Sequence, residues 1–131
     1  FDAAFDAFTR GEVNALFVMN TDGGEQRPLV EGGDGNWEPT FSPDGSQLAF
    51  HSHRSGNVDI WTIPAAGGTA TQITTDPADD GSPHWSPDGS LIAFSSDREG
   101  PNRIYVMTAY GTDQRRLLAL KGEQTQPDWS R

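Results

Sequence analysis

The chain has no cysteine among its 131 residues. That excludes disulfides, thiolate-bound metals and cysteine nucleophiles, and it fits both the cytoplasm and a cysteine-poor periplasmic setting. Basic residues are scarce: 9 Lys and Arg stand against 19 Asp and Glu, for a formal net charge of -10. Such a chain repels a phosphate backbone or an anionic membrane surface, so nucleic acid is not an expected partner. No apolar run approaches the roughly 18 residues that span a bilayer, so membrane insertion is not expected. Nothing at Phe1 resembles a signal peptide, although a processed chain would have lost one. Helix-length apolar periodicity is also missing.

What is present is turn chemistry between short apolar runs. The chain carries 15 Gly and 9 Pro, and Gly or Pro recurs between strand-like segments. Hydrophobic residues make up 34% and aromatics 10%, enough to drive folding of one compact domain of this length.

The ten residues "FSPDGSQLAF" from Phe41 return as "WSPDGSLIAF" from Trp85, an offset of 44 residues. The same offset carries Pro39 to Pro83 to Pro127, Leu16 to Ile60 to Ile104, Phe17 to Trp61 to Tyr105, Gly23 to Gly67 to Gly111, and Arg10 to Arg54 to Arg98. No gap is needed from Thr9 to Arg131. Only the opening "FDAAFDAF" is out of step: matching Ala4-Phe5 to Ala49-Phe50 takes one extra residue before Arg10. A period near 44 with four strand-like runs per repeat predicts propeller blades. Within one repeat these runs are an inner "SPHWS", a second "SLIAFSS", a third "RIYVMTA" and an outer "QRRLLAL". Both faces of the third carry bulky side chains, as a blade packed between two neighbours requires. The predicted boundaries are a partial blade over 1–41 completed by a strand at 125–131, with full blades at about 37–80 and 81–124.

Ser-Pro-Asp-Gly suits a tight turn between the first and second strands. Pro fixes φ at the second position, Asp accepts nearby backbone N–H groups, and Gly closes the turn. A catalytic reading of the Ser and Asp is weaker, because an active site is needed once and a turn is needed in every blade.

With "WSPDGSLIAFSSDREGPNRIYVMTAYGTDQRRL" laid out, the chain resembles the TolB-like β-propeller repeat, also called the WD40-like Pro-Asp repeat. The shared motifs are Pro-x-aromatic-Ser-Pro-Asp-Gly, Ala-Phe, Ser-x-x-Arg or Ser-x-Arg, aromatic-x-Met or aromatic-x-Ile, and a Gly turn. The resemblance implies an all-β propeller of four-stranded blades, three per chain, half of a six-bladed ring. In that family such repeats form a periplasmic Tol-system protein that binds a peptidoglycan-associated lipoprotein. They also occur beside catalytic domains of tricorn-like and prolyl-oligopeptidase-like peptidases, and in carbohydrate-active propellers. The implied function is a non-catalytic module that binds a protein, a peptide or another ligand, periplasmic or secreted; a fold alone does not choose among these roles. Three repeats do not close a ring of four to eight blades. The terminal segments "QPDWSR" and "FDAAFDAF" are complementary parts of one blade, so two copies are expected to join head to tail as a homodimer. The rival is a piece of a longer propeller.

Few constellations carry chemistry. His51 and His53 alternate on one strand and face one side, a pair that fits zinc only with further ligands. There is no Gly-x-Ser-x-Gly elbow, and "GGDGNWE" lacks the features of a nucleotide loop. "DPADDGS" from Asp76 gathers carboxylates as a calcium loop does, without the Asp-x-Asp-x-Asp-Gly order; no cofactor is expected, with calcium the one candidate. Arg10, Arg54 and Arg98 recur after each second strand and are expected to brace loops. The loops between outer and inner strands are acidic, so Glu31, Asp34, Glu38, Asp76, Asp79, Asp80 and Glu123 are expected to ring one rim and attract a cation or a basic segment. Thr40, His84 and Asp128, equivalent by period, are expected to line the central channel.

Overall fold

The structure is a computed structural model that describes residues 3–8, 14–19, 22, 24, 27–30 and 35–117. It is all-β. Ala3–Phe8 (β1), Asn14–Met19 (β2) and Arg27–Val30 (β3) form one antiparallel sheet in the order β1-β2-β3. Asn36–Phe41 (β4), Gln47–Ser52 (β5), Asp59–Pro64 (β6) and Thr71–Gln72 (β7) form a second. Asp80–Trp85 (β8), Leu91–Ser96 (β9), Arg103–Thr108 (β10) and Arg115–Arg116 (β11) form the third. Each strand of the third sheet starts 44 residues after its counterpart in the second. The outer strands of the second and third sheets, β7 and β11, pair over two residues only, shorter than the apolar run "QRRLLAL" suggests.

Register confirms the one-residue shift at the start of the chain. Phe5 pairs with Phe17 just as Phe50 pairs with Trp61 and Phe94 with Tyr105. The strand expected at 125–131 lies outside the described residues.

Alternation along β6 explains how the sheets stack. Trp61 and Ile63 meet Leu16, Leu48 and Phe50, joining the first sheet to the second. Ile60 turns the other way and meets Ile92, Phe94, Tyr105 and Met107 of the third. Both faces of the second sheet are thus buried, and each large side chain so placed stabilises the fold by about 1.5–3 kcal/mol.

The Ser-Pro-Asp-Gly turn is architecture. The Gly45 N–H donates to the Ser42 carbonyl at 2.8 Å, and Gly45 takes φ +76°, the left-handed conformation that a glycine adopts without strain. Asp44 Oδ1 accepts the Ser46 N–H at 3.0 Å and the hydroxyls of Ser42 and Ser46 at 2.7 and 2.8 Å. Asp88 repeats this with Ser86 and Ser90. These donors, the backbone N–H of Ser46 or Ser90 foremost, pull each carboxyl down from 3.8 to about 2.

The recurrent arginine is a strap. Arg54 lies over Phe50 and Trp61 and donates to Asn36 Oδ1 at 2.9 Å. Arg98 lies over Phe94 and Tyr105 and meets Asp80, the counterpart of Asn36, at 3.0 Å. Asp80 is fully buried; burial pushes its carboxyl up, against the pull of Ser96 and Arg98.

Two measurements follow from these contacts. Arg98→Ala strands a buried carboxylate and should cost about 3–5 kcal/mol, whereas Arg54→Ala strands a neutral amide and should cost about 1–3 kcal/mol; urea titration of both variants checks the order. The lowered Asp44 and Asp88 values add stability that is complete above about pH 5 and is lost as pH falls through about 2. The stability gap between wild type and an Asp44→Asn/Asp88→Asn variant should therefore shrink between about pH 4 and pH 2, and a gap that is flat across that range refutes the assignment.

Candidate functional site

The site begins at two β-bulges. Pairing between β4 and β5 shifts between Trp37 and Thr40, and pairing between β8 and β9 shifts between Gly81 and His84. At the same place in each, Glu38 and Ser82 adopt left-handed φ of 52° and 50°. A bulge withdraws backbone groups from the ladder and re-aims side chains. Two histidines take up the freed groups at the second bulge: the Ser82 N–H donates to His51 Nδ1 at 3.2 Å, and His84 Nδ1 donates to the Ser82 carbonyl at 3.2 Å.

At the first bulge Trp37 stands against two imidazoles, 5.7 Å from the ring of His51 on β5 and 5.4 Å edge-on from His53, which lies just past the end of that strand rather than on it. With Glu38 and Val58 these residues line a groove of about 370 Å³. Its inter-sheet wall depends on Gly81, where a Cβ would lie 3.2 Å from His51 Nδ1. Trp37 has no counterpart in the third sheet, since Gly81 holds its place, and His51 and His53 correspond to Ser95 and Asp97. The groove is not something that the repeat itself requires.

The predicted rim residues divide. Glu38 is exposed on the groove. Asp79 Oδ1 accepts the Val58 N–H at 3.0 Å and so fastens the loop to the second sheet, whereas Asp76 Oδ1 accepts the Ala78 N–H at 2.9 Å within the loop itself. Asp80 departs from the expectation of an exposed rim carboxylate: it opens β8 and is buried under Arg98. Of the predicted channel residues, Thr40 gives its carbonyl to the Trp85 indole N–H at 3.1 Å and His84 is tied to the bulge. Glu31, Asp34, Glu123 and Asp128 lie outside the described residues. Among the described residues no three His, Cys, Asp or Glu converge in a metal-binding cluster. None includes a helix long and apolar enough to cross a membrane. Trp37 was missed as a site residue; its signal was that an aromatic stands where the next repeat has glycine.

A family model described as the TolB beta propeller domain matches residues 2–131. The chain belongs to that family. Among solved structures, a TolB-like protein of Agrobacterium tumefaciens superposes with TM-score 0.84 at 29% identity, covering 97% of this chain and 50% of that one. TolB of Acinetobacter baumannii superposes with TM-score 0.72 at 25% identity, over 81% of this chain and 27% of that one. A puromycin-hydrolyzing peptidase of Mycobacterium tuberculosis, at 21% identity and TM-score 0.71 over 88% of this chain and 20% of that one, shares the fold alone. An uncharacterized protein of Agrobacterium fabrum is 34% identical over 65 residues, 50% of this chain and 22% of that protein. This TolB-family chain therefore spans half or less of the length of these relatives.

The bulge conformation gives a test of the site's geometry. A β-branched residue is strained at φ near +50°, so Glu38→Val should cost about 1–3 kcal/mol. Glu38→Gly should stay within about 0.5 kcal/mol of wild type, because glycine's ease there offsets its greater unfolded-state freedom. Thermal unfolding of the two variants reads the difference.

Proposed function

We propose that the chain is a non-catalytic TolB-type binding module, periplasmic or secreted, which closes as a head-to-tail homodimer of six blades. A protein or peptide partner engages it at the mouth beside Trp37, His51 and His53. The observation that carries the binding reading is the groove itself: an aromatic ring and two imidazoles at the first bulge, where the next repeat has Gly81, Ser95 and Asp97 instead. Aromatic anchors of this kind dominate the energy of protein recognition. The acidic neighbours Glu38 and Asp79, exposed beside it, favour a partner that presents positive charge.

Closure is supported by the first sheet. In the two full sheets the second strand is flanked by an inner strand, β4 beside β5 and β8 beside β9. Among the described residues β1 has no such neighbour, and an open strand edge is a template for another strand. Residues 125–131 repeat the inner-strand pattern and are the segment proposed to fill it from a second copy. No calcium or other cofactor enters the reading.

Light scattering across a concentration series tests closure: the expected mass is twice the 14.2 kDa chain, and a monomer at every concentration sinks the dimer. Amide and ester substrates of peptidases should be left intact by the purified chain; turnover abolished by a single point variant of the chain would overturn the non-catalytic reading.

A further inference from the structure

At the opposite end of β5 from the histidine groove, the second and third sheets part to form a larger cleft of about 590 Å³. The two Ser-Pro-Asp-Gly turns form one side of it. They lie close, since a Cβ on Gly89 would sit 3.5 Å from Pro43 Cδ. Asp44 and Asp88 both line the cleft, both are exposed, and no Lys, Arg or His is among the residues around it. In each carboxylate Oδ1 takes all three turn hydrogen bonds, and Oδ2 accepts none among the described residues. The turns thus hold two ionised groups in place and leave one oxygen of each facing solvent.

Trp85, Ile73 and Tyr110 supply the apolar part of a lining that also includes Gln47, Thr62, Thr71 and Gln72. Trp85 is fixed by its indole N–H bond to the Thr40 carbonyl, which orients the ring while leaving its carbon surface to the cleft. Ile73 lies beside it. Tyr110 is 86% exposed, the more exposed of two large hydrophobic side chains on the described surface. The turn has no need of it, since the previous repeat carries Ala66 at that position. A site with aromatic carbon below, two fixed carboxylates at its edge and no competing cation matches one kind of side chain. An arginine or lysine lays its alkyl stem on apolar surface and keeps its charged head among anions, and its cation is also drawn to an aromatic face.

We infer that the cleft between the two Ser-Pro-Asp-Gly turns is a second docking site, taking an extended peptide segment of a protein partner through an arginine or lysine held by Asp44, Asp88 and Tyr110. It is separate from the proposed mouth and does not depend on that reading, because the two sites occupy opposite ends of the same strands.

Fluorescence anisotropy on the full chain tests this with a labelled, end-capped peptide, Ala-Arg-Ala-Ala-Arg-Ala, and counterparts bearing Glu or Ala in place of Arg. The arginine peptide is expected to bind at least about tenfold more tightly than either counterpart and to weaken with added salt. Asp44→Asn with Asp88→Asn keeps the turn acceptors, removes both charges and should weaken binding about tenfold. Tyr110→Ala, at an exposed position that leaves the fold intact, should weaken it about threefold or more. Asp97→Asn, at an exposed carboxylate that lines neither the cleft nor the mouth, should leave it unchanged. Equal binding of all three peptides, or no binding of the arginine peptide, overturns the proposal. So does loss of binding in Glu38→Gln alone, which would move the site to the mouth. Displacement by free spermidine as effectively as by unlabelled peptide overturns the choice of a peptide occupant.

Discussion

A sheet with large apolar side chains on both faces has nowhere to stand except between two others. Along β6, Ile60 looks to the third sheet while Trp61 and Ile63 look to the first, so removing either neighbour would wet a row of buried side chains. Much else answers to that constraint. The sheets must meet at a repeated spacing, and each strand start recurs at the same offset to meet it. The inner strands must pass close to the next sheet, which places the bulges, the Trp85 bond to the Thr40 carbonyl and the small Gly81 where they are. Packing sets the geometry, and the polar bonds between sheets fix its register.

Within that frame the polar chemistry is free to change so long as its geometry is kept. The strap shows this: Arg54 meets an amide at Asn36, and Arg98 meets a carboxylate at Asp80. The two are not equal in energy, since an ion pair with a fully buried partner must recover the cost of desolvating two charges. A similar exchange occurs at the next layer. Buried Asp59 is held by the neutral donors Ser55, Gln72 and Thr74, while the corresponding positions in the third sheet bring Glu99, Arg103 and Arg116. There Glu99 takes a hydrogen bond from Tyr105 and lies near Arg116. Two blades of one shape therefore carry different charge patterns at the same positions.

This explains which features were legible in the amino-acid order. Turns and straps are local or periodic, so Ser42, Asp44 and Arg54 could be read from spacing, and even the extra residue before Arg10 appears in the register of Phe5 with Phe17. Asp80 could not be read from its neighbours. In "DPADD" it looks like one more solvated carboxylate, and only its place in the period, opposite Asn36 and within reach of a recurrent arginine, shows that it opens a strand. Trp37 was hidden for a related reason: the bulge at Glu38 breaks the alternation that would have marked which way its ring points. Tyr110 was hidden because a single aromatic in a turn carries no periodic signal.

The same comparison separates architecture from capacity for recognition. Positions that recur, such as Asp44 with Asp88 or Arg54 with Arg98, are held by what every blade needs. Trp37 against Gly81, His53 against Asp97 and Tyr110 against Ala66 are places where the blades share a shape and differ in side chain. The repeat does not itself call for Trp37, His53 or Tyr110, so those side chains are available for contacts outside the chain. They gather at the two ends of the strands, beside acidic groups that packing and turns have already fixed in position. A repeat protein gains binding sites this way without disturbing its core: recurrent residues hold the charges still, and the departures from the repeat give each groove its own surface.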